Sequence, residues 1–306
     1  MFVRYQHVEH IDSERVKGLL DGRCYVFPKL DGENTSVYME DGEVVCASRN
    51  KPTDRDHAFY QYVLRTPGIK RLLEDHPDIR LYGEFMRPQT IKTYRDDVWN
   101  NWFVFDVCVD AKKYRDRKNN ISDEGRFHIP YMKYMHLLDD YGIPYIEPIA
   151  SLDSPSVETL QDIADNHNSA YIKEGMGSGE GIVVKRYDFV NADGETVWGK
   201  VLNSVYRDNK AFHATFDKEK ATVEELIAHK AVTPLLVDKE YNKILSRKGS
   251  VTPNEILNVV WYCVVTECLF DEIRRRKDPV INFALLKDAV FANVKQCKPE
   301  LFQRSQ

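Results

Sequence analysis

The sequence has no apolar run approaching the roughly 20 residues needed to cross a bilayer, which excludes a membrane-spanning helix. Its first residues, Met1-Phe2-Val3-Arg4-Tyr5-Gln6-His7, lack the long apolar stretch of a secretory signal, so a cytoplasmic location is expected. None of the six cysteines, Cys24, Cys46, Cys108, Cys263, Cys268 and Cys297, falls in a C-x-x-C pair, and most lie among apolar residues. That speaks against a disulfide frame or a zinc site and for reduced, buried thiols. The nine histidines are scattered without ligand spacing. Basic excess is missing too: 43 Lys and Arg stand against 48 Asp and Glu, a net charge of −5. A nucleic-acid binder commonly shows the reverse, so any such contact has to come from a local basic groove. There are no internal repeats and no low-complexity tracts.

What is present is an ordinary globular composition, 42% hydrophobic and 30% charged over 306 residues, enough for two domains. Residues 1–206 read as mixed helix and strand. Tyr25-Val26-Phe27 and Thr35 to Met39 read as strands, and Glu40-Asp41-Gly42-Glu43 as a hairpin turn leading into Val44 to Ser48. Ala58 to Glu74 carries helical spacing. Leu81 to Phe85 and Trp102 to Val109 are apolar strands; Pro130 to Tyr141 and Ser156 to Asn166 read as helices. Ile182-Val183-Val184 follows a Gly-rich turn, and Val197 to Leu202 forms a last strand. After Tyr206 helices dominate. Thr252-Pro253-Asn254-Glu255 has the marks of a helix start, with Thr as N-cap, Pro at the first helical position and Glu at the third. A boundary is placed after Tyr206, giving domains 1–206 and 207–306.

Lys29-Leu30-Asp31-Gly32 ends a strand. A K-x-D-G pattern alone is weak, expected in about one chain in ten or twenty of this length. Its company is more specific. Downstream, in order, come Ser48-Arg49-Asn50, Tyr82-Gly83-Glu84, Phe103-Val104-Phe105-Asp106, Glu180-Gly181-Ile182-Val183-Val184-Lys185 and Gly199-Lys200-Val201. Each sets a charged residue at the end of an apolar strand or beside a glycine, where a sheet-lined nucleotide pocket presents side chains.

This succession resembles the covalent nucleotidyltransferase superfamily of ligases and capping enzymes. Within it the sequence is most similar to ATP-dependent RNA ligases of the phage RNA ligase 2 kind. K-x-D-G, G-E, F-D, E-G-x-V-x-K and a Lys-containing strand all occur in the family's order across residues 29–200, more than half of the chain. Asn34 in K-x-D-G-x-N and Arg49, twenty residues after Lys29, are features of the RNA ligase branch. The resemblance implies an α+β fold: a nucleotidyltransferase domain of antiparallel sheets with flanking helices, then a small all-helical C-terminal domain.

It also implies roles. Lys29 attacks the α-phosphate of ATP, the AMP passes to an RNA 5′-phosphate, and a 3′-hydroxyl displaces it. A free lysine keeps its proton to about pH 10.4, so Lys185 and Lys200 are expected to favour the neutral amine and to neutralise the phosphate. Glu84 accepts from the ribose hydroxyls. Phe105 stacks on adenine, although Phe103 faces the same side by strand alternation and the choice between them stays open. Glu180 is the magnesium or manganese site, Asp31 orients the turn, and Asn34 and Arg49 act at the phosphate end of the polynucleotide. RNA ends and ATP are the partners, without a membrane, and a monomer engaged in RNA repair is expected.

Two departures stand out. The family's last motif is often K-x-K, whereas Trp198-Gly199-Lys200-Val201-Leu202 keeps one lysine. Pro28 precedes the nucleophile where the branch often has an acid. The basic run Arg274-Arg275-Arg276-Lys277 reads equally as a clamp on phosphates or as a solvated helix end. A DNA ligase, a GTP-dependent capping enzyme and a non-catalytic nucleic-acid-binding relative are the competing readings.

Overall fold

A computed structural model describes residues 2–87, 93–110, 126–204, 220–276 and 279–302. They divide into two compact units, residues 2–87 with 93–203 and residues 204–302.

The first unit is built on two five-stranded sheets. One, sheet A, runs β1 (Glu9–His10), β10 (Gly199–Leu202), β9 (Gly181–Lys185), β2 (Arg23–Pro28) and β8 (Ala150–Asp153). All its pairs are antiparallel except β1 with β10. Alternation along the strands divides its residues between two faces. Cys24, Val26, Ile182, Val184 and Val201 pack on Leu160, Ile163 and Ala164 and on Val16 and Leu19. The helix supplying this cover, α4 (Val157–Asp162), is N-capped by Ser156 and runs into a π-turn, Ile163–His167. Tyr25, Phe27, Val183, Lys185 and Lys200 belong to the opposite face.

Sheet B is antiparallel throughout, in the order β4 (Glu43–Ser48), β3 (Glu33–Glu40), β5 (Ile79–Phe85), β6 (Trp102–Asp110) and β7 (Arg126–His128). The β3–β4 hairpin turns through Asp41 and Gly42, both at positive φ, the backbone a two-residue primed turn requires. Phe85 and Trp102 receive Phe59 at ring separations of 5.7 and 5.1 Å. The expected helix from Ala58 to Glu74 is two helices, α1 (Ala58–Arg65) and α2 (Pro67–Asp75). Pro67 forces the break, because it disfavours helical backbone at Thr66 and lacks the amide hydrogen that would continue the ladder. A third helix, α3 (Tyr131–Tyr141), ends on Gly142 in the left-handed conformation.

The second unit contains no strand among its described residues. Helices α5 (Val223–Ala231), α6 (Pro234–Lys248), α7 (Pro253–Cys263), α8 (Leu269–Arg275) and α9 (Phe283–Cys297) surround Ile227, Val237, Ile244, Ile256, Val260, Leu286, Val290 and Val294. The start at Thr252 is a full capping box with Glu255, and α5 opens on a second one, Thr222 with Glu225. Such a start satisfies amide groups a helix otherwise leaves open. Of the basic run, Arg274 and Arg275 are exposed in the last turn of α8, as a solvated helix end requires, and Arg275 and Arg276 also serve a buried carboxylate. The buried Glu272 carboxylate gathers Lys230 at 2.6 Å, Arg275 at 3.2 Å and Arg276 at 3.6 Å, and Arg274 lies over the Phe270 ring. Lys277 lies outside the described residues. No helix among the described residues is long and apolar enough to cross a membrane.

Candidate active site

Strand register places Lys29. Pro28 pairs with Ile182, and the ladder extends one step further, the Lys29 amide donating to the Gly181 carbonyl at 2.8 Å. The nucleophile candidate therefore sits across from the residue after Glu180. Its ammonium meets the Glu180 carboxylate at 2.6 Å, with the two side chains 25% and 12% exposed. Both remain within reach of solvent and solute.

Glu180 is held there by contacts that motif reading did not flag. Asn203 donates through its backbone to the Glu180 carbonyl at 3.1 Å, and its side-chain amide reaches Ser178 Oγ at 2.8 Å. Asn168 donates to the Gly181 carbonyl and accepts from the Gly179 amide. Gly181 itself has φ +154°, and a Cβ there would collide with the Val201 carbonyl. The glycine of E-G-x-V-x-K thus lets β9 and β10 close together directly behind the carboxylate. A polar residue just past a strand end, as Asn203 is, is the only signal the sequence gives of this.

The turn after Lys29 is tied from two sides. Tyr94 accepts the Asp31 amide at 2.8 Å, and Glu84 Oε1 accepts the Gly32 amide at 2.8 Å. Pro28, Lys29, Leu30, Tyr94, Asn168 and Tyr171 line a narrow recess here. Burial pushes the Glu84 carboxyl up to about 7, against the charge of Lys29 and the Gly32 amide; Asp31 and Glu180 push in the same direction as burial. Three carboxylates and one ammonium consequently share one electrostatic environment.

Glu84 also begins a row across sheet B. It pairs with Asn34 on one side and with Phe103 on the other. The pairing of β3 with β4 ends at Thr35 and Ser48, one residue before Arg49. Phe103, Glu84 and Asn34 therefore lie in line, and residues paired directly across neighbouring strands share a face, whereas Arg49 belongs to the turn closed by the Ser48 amide on the Lys51 carbonyl. Strand alternation is interrupted at Phe105. Gly83 pairs with Val104 and Tyr82 with Asp106, so Phe105 is the extra residue of a β-bulge. The bulge turns Asp106 onto the face that carries Tyr82 and Glu84. Phe105 packs edge-on against Tyr5 at 4.9 Å, and Phe103 against Tyr171 at 5.2 Å.

The second lysine–carboxylate pair is of another kind. Lys185, from sheet A, meets Asp106, from sheet B, at 3.1 Å with side chains 3% and 0% exposed, and donates to the Phe105 carbonyl at 2.6 Å. Trp198, which with Leu202 is one of the two positions where a second lysine of a K-x-K would stand, is fully buried and donates its ring N–H to Asp106 Oδ2 at 3.1 Å. Tyr5 donates to the same oxygen at 2.7 Å, and His128 Nδ1 lies 3.3 Å from it. Burial alone would raise the Asp106 carboxyl, but Lys185 and His128 hold it well below the usual carboxylate range. Burial pulls the Lys185 ammonium down against the attraction of Asp106. The geometry so places Lys185 on Asp106, while the side chain on Lys29 is Glu180. Lys200 lies on β10 opposite Val183, on the same face of sheet A as Lys185.

The RNA ligase family model matches residues 22–202, which spans every motif described above. No curated protein matches the sequence. Among solved structures, a variant of the Naegleria gruberi RNA ligase with ATP and manganese superposes at TM-score 0.52 with 18% identity, covering 68% of this chain and 58% of that one. A second variant of it, with AMP and manganese, gives TM-score 0.51 and 17% identity over 67% and 57%. The chain thus spans less than two thirds of these relatives, and the likeness establishes a shared fold. With the family model covering more than half of its length, the chain belongs to the RNA ligase family.

Proposed function

We propose that the protein is an ATP-dependent RNA ligase working through a lysyl-AMP at Lys29. The observation that carries this reading is the strand-end ammonium of Lys29, 2.6 Å from Glu180, beside a turn whose Gly32 amide is fixed by Glu84. In the first step Lys29 Nζ bonds to the α-phosphorus of ATP while the bond to pyrophosphate breaks. The AMP then moves to an RNA 5′-phosphate, and a 3′-hydroxyl attacks that phosphate and releases AMP. The Naegleria structures with ATP, AMP and manganese support the choice of nucleotide.

The donor set suits a divalent ion. Glu180, Glu84 and Asp31 are oxygen donors grouped around Lys29, the chemistry that magnesium and manganese prefer; Glu180 is the carboxylate in contact with Lys29 and is the expected ligand. Bound there, the ion supplies charge neutralisation for the phosphates. Drawing Glu180 off Lys29 removes the neighbour that stabilises the ammonium and so favours loss of its proton. Glu84, joined to the turn, accepts from the ribose. Phe105 or Phe103 stacks on the base, Asn34 and Arg49 meet the phosphate end, and Lys200 and Lys185, on one face of sheet A, are the cations for the nucleotide phosphates, Lys185 once it leaves Asp106.

Intact-mass measurement of the full chain with ATP and magnesium, and separately with GTP, tests this. An acid-labile AMP adduct on wild type, absent from Lys29→Ala, is expected; label from GTP alone would point to a capping enzyme, and no adduct at all would overturn the reading. Sealing of nicked RNA, nicked DNA and single-stranded RNA then assigns the polynucleotide.

A further inference from the structure

Every hydrogen-bonding group that reaches Asp106 among the described residues arrives at one oxygen. Tyr5, Trp198, Lys185 and His128 converge on Oδ2 at 2.7 to 3.3 Å, while Oδ1 is buried without a hydrogen-bond partner among the described residues. Asp106, Lys185 and His128 are almost completely shielded from water. The register brings His128 in: it pairs with Cys108 on β6, two residues from Asp106, and its Nδ1 lies 3.3 Å from Cys108 Sγ as well. The Trp198 ring packs edge-on against the imidazole at 5.2 Å, and Tyr134 and Tyr187 also act on this cluster.

A buried lysine that is a carboxylate's only cation cannot leave it, because the bare carboxylate left behind costs several kcal/mol. Here a second cationic group is already in contact with the same oxygen. We propose that His128 is a positioning residue for nucleotide transfer: by taking over the Asp106 carboxylate, it lets Lys185 turn from Asp106 to the phosphate of the bound nucleotide. The inference rests on the ligase reading above. Burial opposes a charge on His128, but Cys108 and Asp106 raise it to about 9, so the imidazole is charged at neutral pH. As pH rises through that value the stand-in cation is lost, and Lys185 is held on Asp106. The informative quantity is the ratio between variants at each pH, in which any pH response they share cancels.

The test is single-turnover adenylylation of wild type and His128→Asn by ATP and magnesium from pH 7 to 9.5. Asparagine keeps an N–H near the position of Nδ1 and removes the charge. The expected result is a rate about tenfold lower for H128N at pH 7, with the ratio to wild type closing toward one above pH 9. A ratio constant across the range gives His128 a structural role and overturns the proposal. Wild type that takes up no adenylate at any pH overturns the parent reading instead. Should H128N fail to fold, histidine-selective ¹⁵N spectra of the wild-type chain decide: an imidazole with both nitrogens protonated at pH 8 supports the proposal, and nine neutral imidazoles at that pH overturn it.

Discussion

Two lysine–carboxylate pairs lie in the same unit, and they differ in almost everything but chemistry. Lys29 and Glu180 meet at 2.6 Å with a quarter and an eighth of their side chains exposed. Lys185 and Asp106 meet at 3.1 Å with essentially none. The first pair stands at a strand end beside a recess, where either partner can be exchanged for a ligand at little cost. The second joins two sheets, and its carboxylate has three further neighbours. Exposure therefore separates a pair open to ligand from a pair enclosed between two sheets, which opens only if another cation takes over its carboxylate, and substitution of each partner tests the separation.

The largest effect is expected at Lys29. Lys29→Ala removes the attacking nitrogen, and no adenylate should form on the protein by mass spectrometry. Its stability should change by no more than about 1 kcal/mol, as for other partly exposed ion pairs. A loss of several kcal/mol in urea unfolding would show that the two pairs are alike after all.

Asp106→Ala should do the reverse. It leaves Lys185 and His128 facing each other without a counter-charge, and breaking a buried pair in this way costs about 3–5 kcal/mol. The urea midpoint of the first unit should fall accordingly. A near-neutral result would mean that water enters between the sheets to solvate the two cations.

Much of this arrangement could be read in the sequence, and the unread part has a common cause. The strands around Tyr25, Thr35, Leu81 and Ile182 announce themselves through local apolar and turn patterns, and the helix start at Thr252 through its own four residues. K-x-D-G and E-G-x-V-x-K mark Lys29 and Glu180, but their contact is fixed by a register between β2 and β9 some 150 positions apart in the chain, which no local pattern encodes. The bulge at Phe105 is equally silent: nothing in Trp102-Phe103-Val104-Phe105-Asp106 says that alternation fails, and its failure is what turns Asp106 toward Lys185. Trp198 reads as a missing cation in the sequence and is a buried N–H donor in the fold. Arg275 and Arg276 lie at the surface or partly covered, and what the sequence does not show is that both reach the buried Glu272 carboxylate, which looks like any other helix carboxylate.

Glu84 lies between the two pairs and sharpens the contrast, since it is a shielded carboxylate with an amide hydrogen bond and no lysine in contact. Its folded value of about 7 lies above the ordinary 4.5. The folded protein therefore holds a proton there that the unfolded chain releases. Stability from this group is complete below pH 4.5 and is lost as pH rises through 7. Each tenfold change in proton affinity between the folded and unfolded chain is worth roughly 1.4 kcal/mol, so the loss has a ceiling of about 3 kcal/mol, lowered by the partial exposure of the side chain. Glu84→Gln should unfold at nearly the same urea concentration at pH 5 and pH 8, where wild type is weaker at the higher value. Equal pH dependence in both proteins would place the Glu84 titration in the ordinary range.

The smallest effect belongs to the helical unit and serves as the control for the other three. Thr252 accepts the Glu255 amide, and Glu255 accepts the Thr252 amide at 3.0 Å, so loss of the hydroxyl removes the side-chain half of a reciprocal cap. Thr252→Ala should cost about 1 kcal/mol, read as a lower thermal midpoint. It touches neither lysine–carboxylate pair, so adenylate formation at Lys29 should proceed at the wild-type rate. If the loss of this cap slows the first step as much as loss of charge at His128 does, then the fall in H128N reports general weakening of the protein and not relief of Lys185 from Asp106.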